Sequence, residues 1–221
     1  MSIDLYYNKF SGPSRAALMT VRQLNIDINL KQLDLSAGEH MTPEYLAINP
    51  NHKVPTLVDG EFVLWESRAI MQYLCNRYAP DSTLYPKDPK KRALVDRSLN
   101  FDFSFLAQLS EVMAAKIILG IEPPADKVTA VNGSFKLLDQ LIGDNRYITG
   151  DNLTIADLSL VTITPYLEQG GIDLNLYPNV QRWADTLRDE LPYYEEINII
   201  SQAEWDTQVE KYRAIMGAKP E

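Results

Sequence analysis

The sequence predicts a mixed α/β unit followed by an all-helical one. Three observations carry that prediction. Strand and helix signals alternate over residues 1–80, three prolines crowd the stretch "APDSTLYPKDP", and beyond it only helical periodicity remains. The expected boundaries are residues 1–80 for the α/β unit, 81–90 for a linker and 91–221 for the helical unit.

The run Ile3 to Tyr7 is short, apolar and aromatic, which reads as a strand. "NKFSGPSR" ends it, and Ala17, Leu18, Val21 and Leu24 then recur at helical spacing. Ile28 to Leu35 reads as a second strand with Ile28, Leu30 and Leu33 facing inward. A polar stretch follows, with one short helix around Pro43 to Ala47. In "VPTLVDGEFVLWE" two apolar runs are joined by Asp59-Gly60, a hairpin signal. Ile70, Leu74 and Tyr78 then mark a helix that opens near Glu66 and Ser67.

After the linker, Ala93 to Leu119 is one long helical pattern. Val128, Val131, Phe135, Leu138 and Ile142 step by three and four, as an amphipathic helix requires. Thr154 and Asp157 have the spacing of a capping box, and Pro165 predicts a kink in the helix they start. Trp205, Val209, Tyr212 and Met216 mark a last helix.

Composition narrows the function. A formal charge of −9 argues against a nucleic-acid or acidic-membrane binder. No apolar run is long enough to span a bilayer, and "MSIDLYY" lacks the pattern of a secretory signal, so the expected compartment is the cytoplasm. The single cysteine, Cys75, excludes an intrachain disulfide, and its place mid-helix among Tyr73, Leu74 and Tyr78 predicts a buried, inert thiol. His40 and His52 have no acidic or cysteine partner at ligand spacing, so no metal site is expected.

One place stands out chemically. A strand running through a loop into a helix start sets free backbone N–H groups and a positive dipole end beside Ser11 and Ser14. Such a place favours an anion: phosphate, carboxylate or thiolate. On the residues alone Ser11 is either an anion ligand or an N-cap, with Ser14 the better-placed cap.

"SGPSR", "AGEHMTPEYLAINPNHKVPTLVDG", "LWESRAIMQYL", "LYPKDPKKRA" and "GDNLTIADLSLV", in this order, resemble the soluble glutathione transferases of the insect delta and epsilon classes. Delta is the closer through "AGEHM" and "LWESRAI". The resemblance covers nearly the whole chain and is weakest in residues 104–125 and after Pro192. It implies a thioredoxin-like first domain with a four-stranded mixed sheet, a homodimer, and attack of the glutathione thiolate on small hydrophobic electrophiles in detoxification.

Glutathione's thiol ionises near pH 8.5–9, roughly as free cysteine does, so the site must hold the thiolate. The resemblance gives that task to Ser11, with Tyr6 and Tyr7 as rivals because other classes use a tyrosine at the end of the first strand. It implies a cis Val54-Pro55 bond that turns the Val54 backbone toward glutathione. Ser67 suits the γ-glutamyl carboxylate and Glu66 its ammonium, with Arg68 neutralising the carboxylate or Glu66. His40 and His52 match positions at the glycyl carboxylate. Asp102 matches an aspartate reaching across the dimer interface, its plainer reading being a surface charge or a partner of Arg92 or Arg97.

For the electrophile, Leu35, Phe103, Ala107 and Ser110 are the candidates by position, with Glu111 near that wall and residues 195–221 a candidate cap. The stretch "FSFLAQLSEVMAAKIIL" is poor in aromatics for such a wall. Two other readings share the fold: a non-catalytic binder of hydrophobic ligands or glutathione, and a glutathione-dependent isomerase or peroxidase. The same thiolate, acting as a base, would also serve a side activity, elimination of HCl from chlorinated compounds.

Overall fold

A computed structural model describes residues 3–217. Strand β1 (Ile3–Tyr7) leads through a short loop into helix α1 (Gly12–Gln23), and β2 (Asn29–Gln32) returns alongside β1. A short helix α2 (Pro43–Ile48) precedes the hairpin of β3 (Thr56–Asp59) and β4 (Phe62–Trp65), and helix α3 (Ser67–Tyr78) follows it. The sheet has the order β2-β1-β3-β4, with β1 and β2 parallel and the other pairs antiparallel. This is the mixed four-stranded sheet of a thioredoxin-like domain.

Local chemistry sets the details. Asp59 pairs with Phe62, so the hairpin turn is Gly60-Glu61, one residue later than the Asp59-Gly60 signal placed it, and Gly60 takes the required left-handed φ of 62°. β2 stops at Gln32 instead of Leu35, and it is an edge strand with only Leu30 half-buried. It stops because the Asp34 carboxylate accepts the Ser36 N–H at 2.9 Å and the Ala37 N–H at 3.2 Å, turning the chain.

The helical part begins with α4 (Pro89–Met113), capped by Asp88, which accepts from the N–H groups of Lys90 and Lys91. Its last turns widen into a π-helix, Ala114–Leu119, closed by Gly120 at φ 65°. Helices α5 (Ala125–Ile142), α6 (Ile155–Leu160), α7 (Thr164–Gly170), α8 (Pro178–Glu190), α9 (Tyr194–Asn198) and α10 (Gln202–Gly217) complete the fold. The side chain of Met216 and residues 218–221 lie outside the described residues.

Both local signals in the middle of this part are realised. Thr154 and Asp157 form the capping box, and the Asp157 carboxylate also accepts from the Ile148 N–H and the Trp183 indole N–H. The kink at Pro165 is a single 3-10 turn, Val161–Ile163, that separates α6 from α7 just before the ring.

Two cores meet along α1. Leu5 and Leu57 of the sheet, Ala17, Met19 and Val21 of α1, and Ile70, Met71 and Leu74 of α3 are fully buried. Phe105, Phe135, Leu138, Leu158 and Trp183 do the same among the helices, each such side chain contributing about 1.5–3 kcal/mol. α1 packs against both α3 and α6, so its N-terminus lies where the two cores join. Cys75 is buried in the first core, and burial pushes its thiol up to about 12, which makes it inert as expected. Among the described residues no helix is long and apolar enough to cross a membrane.

Candidate active site

The loop from β1 to α1 is held from every side. Asn8 donates through Nδ2 to the Leu33 carbonyl (2.8 Å), accepts the Phe10 N–H on Oδ1 (2.9 Å), and its carbonyl accepts the Ser11 N–H (3.1 Å). The Tyr166 hydroxyl of α7 donates to the Phe10 carbonyl at 2.5 Å and accepts the Gly12 N–H at 3.1 Å. Arg15, 1% exposed, donates to the carbonyls of Lys9 (2.9 Å) and Thr162 (2.6 Å) and to Asn198 Oδ1 (3.1 Å). The motif reading gave Arg15 and Tyr166 no role, yet they fix where this loop sits.

Ser11 is the N-cap of α1, with extended backbone and its Oγ accepting the Ser14 N–H at 3.3 Å. Ser14 was the expected cap. It lies instead inside the first turn, fully buried, where its Oγ accepts the Asn8 N–H at 3.3 Å. Capping therefore engages one acceptor site of Ser11 and leaves its O–H hydrogen to donate at the positive end of α1. The tyrosines point elsewhere. Tyr7 OH donates to Gln32 Oε1 on the edge strand at 3.3 Å, and the Tyr6 ring meets Tyr45 edge-on at 5.6 Å.

A cleft of about 350 Å³ opens beside the first turn of α1, lined by Pro13, Val54, Pro55, Glu66, Ser67 and Arg68 on one side and by Phe103, Leu106, Ala107 and Ser110 of α4 on the other, with Ser11 next to but not among its lining residues. Val54-Pro55 is cis, as expected, and Tyr45 and Asn49 hold the approach to it through the Lys53 carbonyl and Thr56 Oγ1. Glu66 sits at φ 71°, a left-handed conformation costly for glutamate, immediately before α3. Ser67 opens α3 and is 3% exposed.

Asp102 requires a correction. It is neither a surface charge nor paired with Arg92 or Arg97, and it does not project from its own chain. At 1% exposure it binds Arg68 Nη2 at 2.5 Å and accepts the Ser159 hydroxyl at 2.5 Å. Burial raises its carboxyl above the ordinary range, opposed by Arg68 and Ser159. The pair ties the start of α3 to α4 and α6. Arg68 also lies over the exposed Phe103 ring, 5.4 Å from its centre.

His40 and His52 face each other at 6.5 Å, outside the residues lining the cleft. Burial, and then the charge of His52, lowers the pKa of His40, and its Nδ1 is buried without a partner. Among the described residues no group of three His, Cys, Asp or Glu could hold a metal ion.

The second cavity, about 320 Å³, shares Leu106 and Ser110 with the first and is mostly apolar. Phe10, Met113, Ile117, Ile118 and Tyr166 line it, and α10 covers it with Trp205, Gln208, Val209 and Tyr212. Trp205 packs edge-on against Phe10 at 5.5 Å and Tyr166 at 5.6 Å. The aromatics missing from α4 therefore come from the loop, α7 and α10. Of the four residues predicted for the electrophile, Phe103, Ala107 and Ser110 line these cavities, whereas Leu35 lines neither, because the chain turns away at Asp34. Glu111 points to solvent, paired with Lys127 at 2.7 Å.

Comparison with known proteins gives concordant matches. Residues 1–76 match the model of the glutathione S-transferase N-terminal domain, and residues 118–190 that of the C-terminal domain. Among solved structures, the chain is similar to a delta-class glutathione transferase of Nilaparvata lugens, with 37% identity and a TM-score of 0.85 over 96% of this chain and 99% of that one. It is also similar to an epsilon-class glutathione S-transferase of Musca domestica, with 35% identity and a TM-score of 0.83 over 96% and 98%. A glutathione transferase of Bombyx mori matches with 33% identity and a TM-score of 0.86 over 97% of each chain.

Proposed function

The chain belongs to the glutathione S-transferase family, an enzyme family, and from that premise we propose that it conjugates glutathione to small hydrophobic electrophiles with Ser11 holding the thiolate. The carrying observation is the direction of the hydroxyls: Ser11 sits free to donate at the α1 N-terminus, while Tyr7 is bonded to Gln32 at the sheet edge. A thiol that enters this spot loses its proton to solvent. The hydroxyl and the helix dipole then stabilise the sulfur anion, and a shift of two pKa units needs only about 3 kcal/mol.

In this reading the Val54 backbone pairs with the cysteinyl part of glutathione. Glu66 receives the γ-glutamyl ammonium, and Ser67 with Arg68 receives its carboxylate. His52, with His40 behind it, meets the glycyl carboxylate. Asp102 acts through Arg68, holding the guanidinium where the carboxylate arrives. The electrophile enters the apolar cavity next to Phe10, the residue adjoining Ser11. The enzyme works in the cytoplasm as a homodimer, the dimer being supported by the exposed rings of Phe62 and Tyr78, which flank half-buried Tyr73 on β4 and α3.

Turnover of chlorodinitrobenzene in the wild type, Ser11→Ala and Tyr7→Phe tests the assignment. Ser11→Ala is expected to lose about a hundredfold in kcat/KM, Tyr7→Phe little. Equal losses would remove Ser11 from its role. Retention on immobilised glutathione without any turnover would replace the enzyme with a glutathione-binding protein.

A further inference from the structure

Among the described residues, four buried side-chain atoms have no hydrogen-bond partner, three of them on His40, Arg68 and Asp102. The fourth is Gln208 Nε2. Gln208 is 6% exposed and lines the apolar cavity one helical turn beyond Trp205, which packs on Phe10 beside Ser11. The other polar groups of that wall are committed: Ser110 Oγ donates to the Leu106 carbonyl at 2.7 Å, and Tyr166 OH to the Phe10 carbonyl. Tyr212 OH is close enough for Gln208 to oppose part of the rise that burial gives its pKa, yet Nε2 still has no partner. A buried amide N–H that the protein leaves unbonded costs as much as a lost hydrogen bond, so an accepting group that enters the cavity gains that bond.

We infer that Gln208 is a specificity-determining residue, selecting electrophiles whose reacting carbon is conjugated to a hydrogen-bond-accepting oxygen, with unsaturated ketones as the class. The inference rests on the transferase reading of the site. In the step concerned, the thiolate sulfur bonds the β-carbon of the alkene. The π pair moves through the α-carbon onto the carbonyl oxygen, and Gln208 Nε2–H donates to the enolate oxygen so formed. The α-carbon then takes a proton from water. A benzyl halide builds no charge on oxygen: its C–S bond forms as its carbon–halogen bond breaks, and halide leaves.

The test compares benzylideneacetone with benzyl chloride, two electrophiles sharing a phenyl ring, in the wild type and in Gln208→Met and Gln208→Leu, which keep the bulk and remove the donor. The ratio of kcat/KM, ketone over halide, should fall at least about tenfold in both variants. On the wild type alone, benzylacetone should inhibit at least about tenfold better than butylbenzene, which lacks only the oxygen. An unchanged ratio, or equal inhibition by the two saturated compounds, would show that Gln208 merely packs. Absence of any wild-type turnover of either electrophile would instead bring down the transferase reading itself, and this inference with it.

Discussion

On its polar side the site is assembled over short stretches of chain. Asn8, Ser11 and Ser14 bond one another, and Glu66, Ser67 and Arg68 are consecutive. On its apolar side the partners are remote: Lys9 pairs with Glu204, 195 positions away, and Phe10 packs on Trp205. The polar half is made by helix starts and turns, which a few residues specify. The apolar half is made by packing α10 against the β1–α1 loop and α4, which only the finished fold specifies. One half can therefore change its occupant while the other keeps its own.

If that division holds, removing a deep anchor should unfold the protein without discriminating between the two halves. Asp157→Ala strips the α6 cap, the Ile148 N–H and the Trp183 indole of their buried acceptor, and should cost about 3–5 kcal/mol in denaturant unfolding. A loss below about 1 kcal/mol would mean that the capping box is not such an anchor.

Trp205→Ala should separate the halves. The KM of an apolar electrophile is expected to rise about tenfold while that of glutathione barely moves, since Trp205 touches Phe10 and Tyr166 and lines only the second cavity. Parallel changes in both constants would break the comparison.

These two variants also show what was legible. The capping box, the hairpin and the strand–loop–helix around Ser11 rest on near neighbours, and the sequence patterns located all three within a residue or two. Arg15 and Tyr166 were missed, and Trp205 was read only as part of a helical stripe, because their contacts join segments whose spacing carries no period. Asp102 was misread for the same reason: its partners Arg68 and Ser159 lie on two other helices. Leu35 failed because the Asx turn at the preceding residue, Asp34, is stronger than the apolar run it interrupts. The sole available signal for the α10 cap was a helical stripe of Trp205, Val209 and Tyr212, and a stripe does not say what it covers.

A smaller effect belongs to pH. Burial and His52 hold the folded pKa of His40 below its ordinary 6.5, so the folded state binds fewer protons than the unfolded chain. This penalty is absent above pH 6.5 and grows as the pH falls from there toward the folded pKa. His40→Gln should flatten the acid side of the stability curve in that window, and an unaltered slope would contradict the assignment.

The smallest effect should come from the surface ties of α10. Lys9 and Glu204 are bonded at 2.6 Å and Lys211 and Asp34 at 2.9 Å, all partly exposed. Lys9→Ala or Lys211→Ala should each cost about 0.2–1 kcal/mol, less in high salt, with a slight rise in electrophile KM. A large loss would mean that packing by Trp205 does not hold the cap.

The most direct measurement is the titration of glutathione bound to the enzyme, followed by the ultraviolet absorbance of its thiolate, in the wild type, Ser11→Ala and Tyr7→Phe. The bound thiol should ionise well below the free one in the wild type and in Tyr7→Phe, and at least about one pH unit higher in Ser11→Ala. A pKa that stays put in Ser11→Ala, or rises as far in Tyr7→Phe, would contradict the account.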